Sequence, residues 1–336
     1  MKKRGKGIAA AFYPCGSVGG GDPSQAMIKM KIDGSADLYI GSIDIGQGVQ
    51  TVMAQIAAEE LGLHYEQIKV HSGDSDTSPM CMGTFGSRVT YVCGNAVINA
   101  AKEVKNILFE TVAPKLNADI KELTVSNGQI VVRSDATRSI NIADAVGIAT
   151  FGLGKLVLGR GVSLKSPLSN PDPETGACEP TLTMSYGAAF AEVEVDTETG
   201  IIEVLKFIFA YDVGRIMNPL LAEGQIEGGA CMGYGEAIME NLMPNYPSID
   251  PQPSTLGEYI IPTTMDIPPI EFKMLEFPSS GGPYGAKGMG EFVANPQSPA
   301  IVNAVFDAIG IWFNEVPLTP DRVLMKLDNM GYPKEK

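Results

Sequence analysis

Apolar and polar positions change period along this chain, and each change marks an element. Lys6 to Phe12 has a strand pattern and gives way to a Pro- and Gly-rich run, Tyr13 to Gly21. Ala26 to Ile32 and Ala36 to Ile43 alternate about an Asp33-Gly34 turn, which predicts a hairpin. Val49, Val52, Met53, Ile56, Ala57 and Leu61 then recur at helical spacing, with Gly62 placed as a C-terminal cap. A strand ending near His71 precedes a second helix with Ala96, Val97, Ala100, Ala101, Val104 and Leu108 on one side. Asn127-Gly128 turns a hairpin within Leu123 to Ser134, and Thr150 to Thr181 reads as a connector rich in Gly, Pro and Ser.

The second half opens on the clearest hairpin, Met184 to Val195 and Ile201 to Val213, with its turn at Asp196 to Gly200. Alternation puts Glu192, Glu194 and Glu203 on a solvated sheet face. Gly224 to Gly229 opens a helix of small residues (Ala230, Gly233, Gly235, Ala237). Asn241 to Pro268 is long, irregular and proline-rich, as expected of an interface or wrapping arm. A strand over Ile270 to Leu275, a helix over Ser298 to Ile309 and a last helix begun by Thr319-Pro320 complete the chain. Hairpins mixed with helices predict an α+β fold of mixed sheets with packed helices. Its expected divisions are a first lobe over 1–150, a connector over 151–180 and a second lobe over 181–336.

Composition narrows the function classes. The chain has 336 residues, 44% of them hydrophobic, enough for a substantial core. A net charge of −14 without a basic stripe argues against nucleic acid as a partner. Of the five cysteines, none forms C-x-x-C, so no zinc ribbon or iron–sulfur ligand set is expected. Their odd count, with no apolar run long enough for a secretory core or a membrane span, predicts reduced thiols and a cytoplasmic protein. The two histidines, His64 and His71, lack ligand spacing. A metal would have to be held by an organic cofactor, not by side chains.

Candidate chemistry lies in four glycine-associated motifs. Gly46-Gln47-Gly48 sits at a strand-to-helix turn, where backbone N–H groups and the Gln47 amide can meet an anion or heterocycle; a plain capped turn is the alternative. Gly83-Thr84-Phe85-Gly86-Ser87-Arg88 precedes the second helix and forms an anion cradle, with a surface ion pair as the alternative for Arg88. Gly224-Gln225 opens the small-residue helix. Ser279 to Glu291 holds five glycines in thirteen residues. Glycines allow sharp turns and close approach to a ligand. A carboxylate fixed there, Glu291, is a candidate general base, the alternative being a solvated glutamate on a mobile loop. Asp212 is expected to brace a loop.

In this order the four motifs resemble the xanthine dehydrogenase/aldehyde oxidase family of molybdenum hydroxylases, over nearly the whole chain. The heptapeptide Gly285-Ala286-Lys287-Gly288-Met289-Gly290-Glu291 carries most of the likeness. The resemblance implies Glu291 as the base beside molybdenum and Gln47 as a contact of the metal's oxo ligand, next to Gly48. It implies Thr84, Phe85, Gly86, Ser87 and Arg88 around the pterin and its phosphates, Gln225 on the pterin, and Lys287, Gly288 and Met289 as further cofactor contacts. Tyr13 is a candidate for the substrate pocket or, equally, a core tyrosine.

The likeness covers only the second half of the family's molybdenum-binding polypeptide. This implies a split subunit, similar to the medium molybdopterin subunit of nicotinate dehydrogenases. The implied cofactor is molybdenum with molybdopterin cytosine dinucleotide and a terminal sulfido or selenido ligand. The implied partners are a larger molybdopterin subunit, an iron–sulfur subunit and an FAD subunit passing electrons to NADP, the whole in some cases a dimer of the heteromer. Nicotinate would become 6-hydroxynicotinate. Oxidation of a purine, an aldehyde or carbon monoxide, and a non-catalytic cofactor-binding or assembly role, are the alternatives.

Overall fold

The computed structural model describes residues 1–17, 21–165, 169, 171–179, 181, 183–241, 255, 257 and 259–332. Residues 242–254 of the proline-rich arm lie outside the described residues. In chain order come β1 (Lys2–Pro14), β2 (Asp22–Met30), β3 (Ala36–Ile40), α1 (Val49–Leu61), β4 (Ile68–Ser72) and α2 (Gly94–Leu116). There follow β5 (Leu123–Ser126), β6 (Gln129–Val132), β7 (Asp135–Asn141), α3 (Ile142–Gly147) and β8 (Leu158–Lys165). The rest is β9 (Met184–Asp196), β10 (Ile202–Asp212), α4 (Pro219–Ile238), β11 (Ile270–Leu275), α5 (Gln297–Ile309) and α6 (Pro320–Asn329).

Two four-stranded sheets carry the architecture, in the orders β4-β3-β2-β8 and β11-β10-β9-β1. The expected hairpins are present as antiparallel β2/β3, β5/β6 and β9/β10. What periodicity does not reveal is that β3/β4 and β10/β11 pair in parallel. A parallel pair needs a crossover, and α1 and α4 supply it, so each lobe is a hairpin running into a βαβ unit. Each lobe then continues into a further helix, α2 or α5, and each is closed by a strand antiparallel to the first strand of its hairpin: β8 on β2, and β1 on β9.

The two lobes therefore share one order of elements, except that the closing strand of the second lobe comes from the start of the chain. This corrects the expected divisions. β1 belongs with 181–336, and β8, inside the expected connector, belongs to the first sheet. The small-residue helix also begins earlier than expected. Asn218 caps α4 by accepting from the Leu221 amide, with Pro219 in the first turn, so Gln225 lies inside the helix.

Each closing strand packs its helix through a Gly-x-Gly pair. Ideal Cβ atoms at Gly5 and Gly7 would stand 2.1 Å and 2.2 Å from the carbonyl oxygens of Ala304 and Ala300 in α5. At Gly159 and Gly161 they would stand 2.1 Å and 1.8 Å from those of Ala100 and Ala96 in α2. Strand backbone thus rests directly on an alanine face of a helix. Each lobe has its own apolar core, one around α1, α2 and the first sheet, the other around α4, α5 and the second.

Gly7→Ala or Gly161→Ala must push strand and helix apart. Each is expected to cost about 1–3 kcal/mol, the range for overpacking. Gly147→Ala, at helical φ −59° with open space about its Cβ position, should instead stabilise by roughly 0.5–1 kcal/mol. Denaturant midpoints of the three variants check the contrast.

Candidate active site

The shared order of elements places the four motifs at equivalent points. Gly46-Gln47-Gly48 follows β3, and the Asp212 to Gln225 stretch follows β10; Gly83 to Arg88 follows β4, and Gly285 to Glu291 follows β11. All four leave the carboxyl ends of parallel-paired strands, where ligands of open α/β sheets bind. They meet at one cleft of about 640 Å³ between the lobes, whose lining includes Gln47, Thr84, Phe85, Ser87, Arg88, Gln225, Lys287, Gly288, Met289 and Glu291.

The first motif is set by Asp44, whose carboxylate accepts from the amides of Gly46 (2.9 Å) and Gly48 (3.3 Å) at the start of α1. Gly48 abuts the other lobe: a Cβ there would lie 2.5 Å from Leu221 Cδ1. The Gln47 amide is held by its own loop. Its Oε1 accepts from Ile45 N at 2.7 Å and its Nε2 donates to Ile43 O at 3.3 Å, which leaves one Nε2 proton uncommitted. Thr84 ties the second motif to the first, its hydroxyl donating to Ile43 O (2.8 Å) and accepting from Ile43 N (3.1 Å).

Ser87 and Glu291 form the centre. The Ser87 hydroxyl accepts from the amides of Gly290 (3.1 Å) and Glu291 (3.2 Å) and donates to Glu291 Oε2. One donor and two lone pairs are thereby used, so the hydroxyl is committed to holding the carboxylate and has no proton left for a ligand. Ser87 holds a left-handed backbone, φ 51°, uncommon for a residue with a side chain. Gly288 fits beneath it: an added Cβ would stand 1.8 Å from the Ser87 carbonyl oxygen. Gly288 is fixed in turn by Ser185 Oγ donating to its carbonyl at 2.7 Å and by its amide donating to Cys15 Sγ at 3.1 Å.

Two expected cofactor contacts are turned inward. Arg88 is fully buried. Its Nε donates to Asp22 at 2.6 Å, Nη1 to Gly83 O at 2.7 Å and Cys81 Sγ at 3.0 Å, and Nη2 to Pro23 O at 2.9 Å. The guanidinium braces the cradle from behind and is neither a ligand-facing group nor a surface ion pair. Its charge also acts on Cys81. Burial alone would raise that thiol, but hydrogen bonding with Ser24 and Ser42, the Gly83 carbonyl and the Arg88 charge bring it below the ordinary cysteine value. Lys287 is likewise committed, its Nζ donating to Asp212 Oδ2 at 2.6 Å. Asp212 Oδ1 accepts from Gly214 N and Phe277 N, so Asp212 does brace the loop.

Several groups remain free to hold a ligand. Among the described residues the backbone amides of Phe85, Gly86 and Ser87 have no protein acceptor, and the Gln225 side chain has no partner. The Phe85 ring is exposed beside them. Unpaired amides on a glycine turn, a helix-borne amide and an open ring fit an anionic, flat heterocycle. Tyr13 does not line this cleft and packs on the second core. Burial and the nearby Glu291 charge push its hydroxyl above the ordinary tyrosine value. Arg215 and Asn295, to which sequence reasoning gave no role, also line the cleft. Arg215 stands in the loop equivalent to the Gln47 turn, a position visible only once the lobes are matched.

The model of the molybdopterin cofactor-binding domain matches residues 1–268. The chain belongs to that family. A xanthine dehydrogenase molybdenum-binding subunit of Escherichia coli O157:H7 is 31% identical over 96% of this chain and 42% of its own length. The nicotine 6-hydroxylase large subunit of Paenarthrobacter nicotinovorans is 33% identical over 89% and 36%. The crystal structure of quinoline 2-oxidoreductase from Pseudomonas putida 86 superposes with a TM-score of 0.86 at 26% identity, over 97% of this chain and 42% of that one. This molybdopterin-binding chain thus spans less than half the length of the relatives it matches. Among the described residues no helix is long and apolar enough to cross a membrane.

The Arg88–Asp22 pair makes a sharp test of the cradle. Asp22→Asn leaves a buried guanidinium facing a neutral amide, and about 3–5 kcal/mol of stability should be lost. Chemical denaturation measures it, and a loss below 1 kcal/mol would mean that the guanidinium finds solvent.

Proposed function

We propose that this chain is the catalytic-base-bearing part of the molybdenum subunit of a multi-subunit hydroxylase acting on an N-heteroaromatic acid, converting nicotinate to 6-hydroxynicotinate. The observation that carries the reading is the Glu291 carboxylate, held by Ser87 in a cleft whose other walls offer unpaired amides and Gln225. Relatives named for nicotine and quinoline support an aromatic N-heterocycle as substrate class. The partners in this reading are the remaining molybdenum-subunit polypeptide, an iron–sulfur subunit and an FAD subunit passing electrons to NADP. The cofactor is the cytosine dinucleotide form with a terminal sulfido or selenido ligand, in a cytoplasmic enzyme.

When bound, the molybdenum cofactor supplies the two-electron redox centre for hydroxylating an electron-poor ring carbon with oxygen drawn from water. The chain's own residues do the rest. The amides of Phe85 to Ser87 and the Gln225 side chain bind the pterin and its phosphates, Gln47 offers its uncommitted Nε2 proton, and the exposed Phe85 ring covers one side. Glu291 would accept the proton given up by the water-derived oxygen as that oxygen bonds to the ring carbon. Ser87 is a positioning residue: it keeps one carboxylate oxygen turned to itself and so orients the other. Arg88, Lys287 and Asp212 stiffen the walls.

Three variants of the assembled enzyme, each with its molybdenum quantified, test this division of roles. Glu291→Gln should keep cofactor and substrate binding while reduction by substrate slows about 10²–10⁴-fold. Ser87→Ala should slow it less, up to about 10²-fold, through misplacement of the carboxylate. Gln225→Ala should lower cofactor occupancy with little change in turnover per molybdenum. Stopped-flow reduction reads the rates, with nicotinate compared against purines, aldehydes and carbon monoxide. A near-normal rate in Glu291→Gln would overturn the catalytic assignment, and preference for a non-heterocyclic substrate would overturn the substrate class.

A further inference from the structure

The two sheets share an order of elements, and each turns one face away from its helices. On the first sheet that face is mixed: Arg160, Met27, Tyr39 and His71 stand in one row and Leu158, Lys29, Asp37 and Lys69 in the next, while toward the cleft Val162 and Leu164 of β8 stand exposed opposite Gln25 and Pro23. His71 stacks on Tyr39 and meets Asp37 at 3.1 Å, and Asp37 also pairs with Lys31. The charged rows lie at the end away from the cleft. On the second sheet, α5 occupies the Gly5/Gly7 face of β1, so the even-numbered residues of β1 point away from it. The rows there read Ile8–Phe190–Ile208–Glu271, Ala10–Ala188–Ala210–Lys273 and Phe12–Tyr186–Asp212–Leu275. Phe12 is 68% exposed, Ile8 66% and Tyr186 55%.

This second face changes character along the strands. Away from the cleft it is a grid of ion pairs: Glu194 holds Lys2 at 2.7 Å and Arg4 at 3.0 Å, and Lys206 holds Glu271 at 2.7 Å. Toward the cleft the charges thin to Lys273 on the edge strand β11 and Asp212, which is spent on Lys287. The Phe12–Tyr186–Asp212 row runs into the cleft wall, with the Lys287 ammonium 5.8 Å from the centre of the Tyr186 ring. A sheet face that is ionic where it meets water and apolar where it meets the site has the core-and-rim pattern of a surface covered at its apolar end.

We propose that the apolar half of the β1–β9–β10 face is the docking surface for the molybdenum-subunit polypeptide that the relatives carry beyond the stretch matched here. It rests on the reading of the chain as part of such a subunit. Three features favour this occupant. The relatives hold more than half their length outside the match. The apolar half is continuous with the cleft wall, so what covers it also closes the cleft. The ion-paired half marks where the cover ends. The covering polypeptide presents apolar side chains to Phe12, Ile8 and Tyr186.

A photo-crosslinking amino acid at position 12 of the full chain, in enzyme assembled in its source cells, tests the surface. The same probe at position 206, in the ion-paired half, serves as the control. The expected product from position 12 is a crosslink to polypeptide similar to the unmatched part of the molybdenum-binding relatives, identified by mass spectrometry, at least tenfold above position 206. Phe12→Asp should separate that polypeptide from this chain on size exclusion with the thermal midpoint of the chain unchanged, because the residue is exposed. Crosslinking from position 12 to a second copy of this chain, or to an iron–sulfur or flavin polypeptide, would overturn the proposal, as would equal yields from the two positions. Molybdenum content and hydroxylase activity of the same preparation report separately on the proposed function, and the crosslink readout depends on neither.

Discussion

The site depends on one contact between segments far apart in the chain: the Ser87 hydroxyl bound to the amides of Gly290 and Glu291 and to the Glu291 carboxylate. Each lobe supplies one side of it. The contact requires Ser87 in a left-handed conformation, which is held because Gly288 lacks a Cβ and lets the Ser87 carbonyl approach. Ser185 and Cys15 then hold Gly288 from the second sheet and from the end of β1. A carboxylate on a glycine loop would otherwise sample many orientations. Three hydrogen bonds to one hydroxyl leave Glu291 with one oxygen anchored and one available, which is the condition for a positioned base.

That contact can form because the lobes are interleaved and not merely adjacent. β1 leaves the second sheet and runs on toward the first, and β8 returns from the far side of the first lobe to close its sheet. Direct strand-on-helix packing at the two Gly-x-Gly pairs makes each closure tight. Both sets of parallel strand ends then point into the same cleft. Gly48 against Leu221 and Asn218 against Gln55 add further contacts across it.

What was legible in the sequence follows from how local each signal is. The αL positions of Gly62 and Asn127-Gly128 and the 3.6-residue period of α1 depend on neighbours a few residues away, and all were read in place. The parallel pairings, the partner of β1 and the membership of β8 depend on strands as far apart as Lys2 and Asp196, and no period encodes them. The glycine motifs were legible because close approach restricts residue type. The roles of charged residues within them were not. Arg88 reads as a ligand group until Asp22, on another strand, is known to hold it, and Lys287 does so until Asp212 is. The Ser87 hydroxyl looks like part of an anion cradle, and only its spent donor shows that it serves Glu291, leaving the backbone amide to the cradle.

Two of the cations around the cleft, Arg88 and Lys287, are therefore structural, while Arg215 lines it with an exposed guanidinium 3.9 Å from Glu276. Arg88 and Lys287 are each paired with a buried aspartate. Locking Lys287 to Asp212 and Arg88 to Asp22 keeps those positive charges engaged elsewhere, while backbone amides and Gln225, which carry dipoles and no net charge, remain for the ligand. In a chain of net charge −14, the proposed anion binding would rely on oriented N–H groups at glycine turns more than on bulk electrostatics. The glycine content of the four motifs and the inward turn of Arg88 and Lys287 are two sides of one arrangement: in the proposed function, backbone amides left unpaired by the glycine turns would hold an anionic cofactor beside the Glu291 carboxylate.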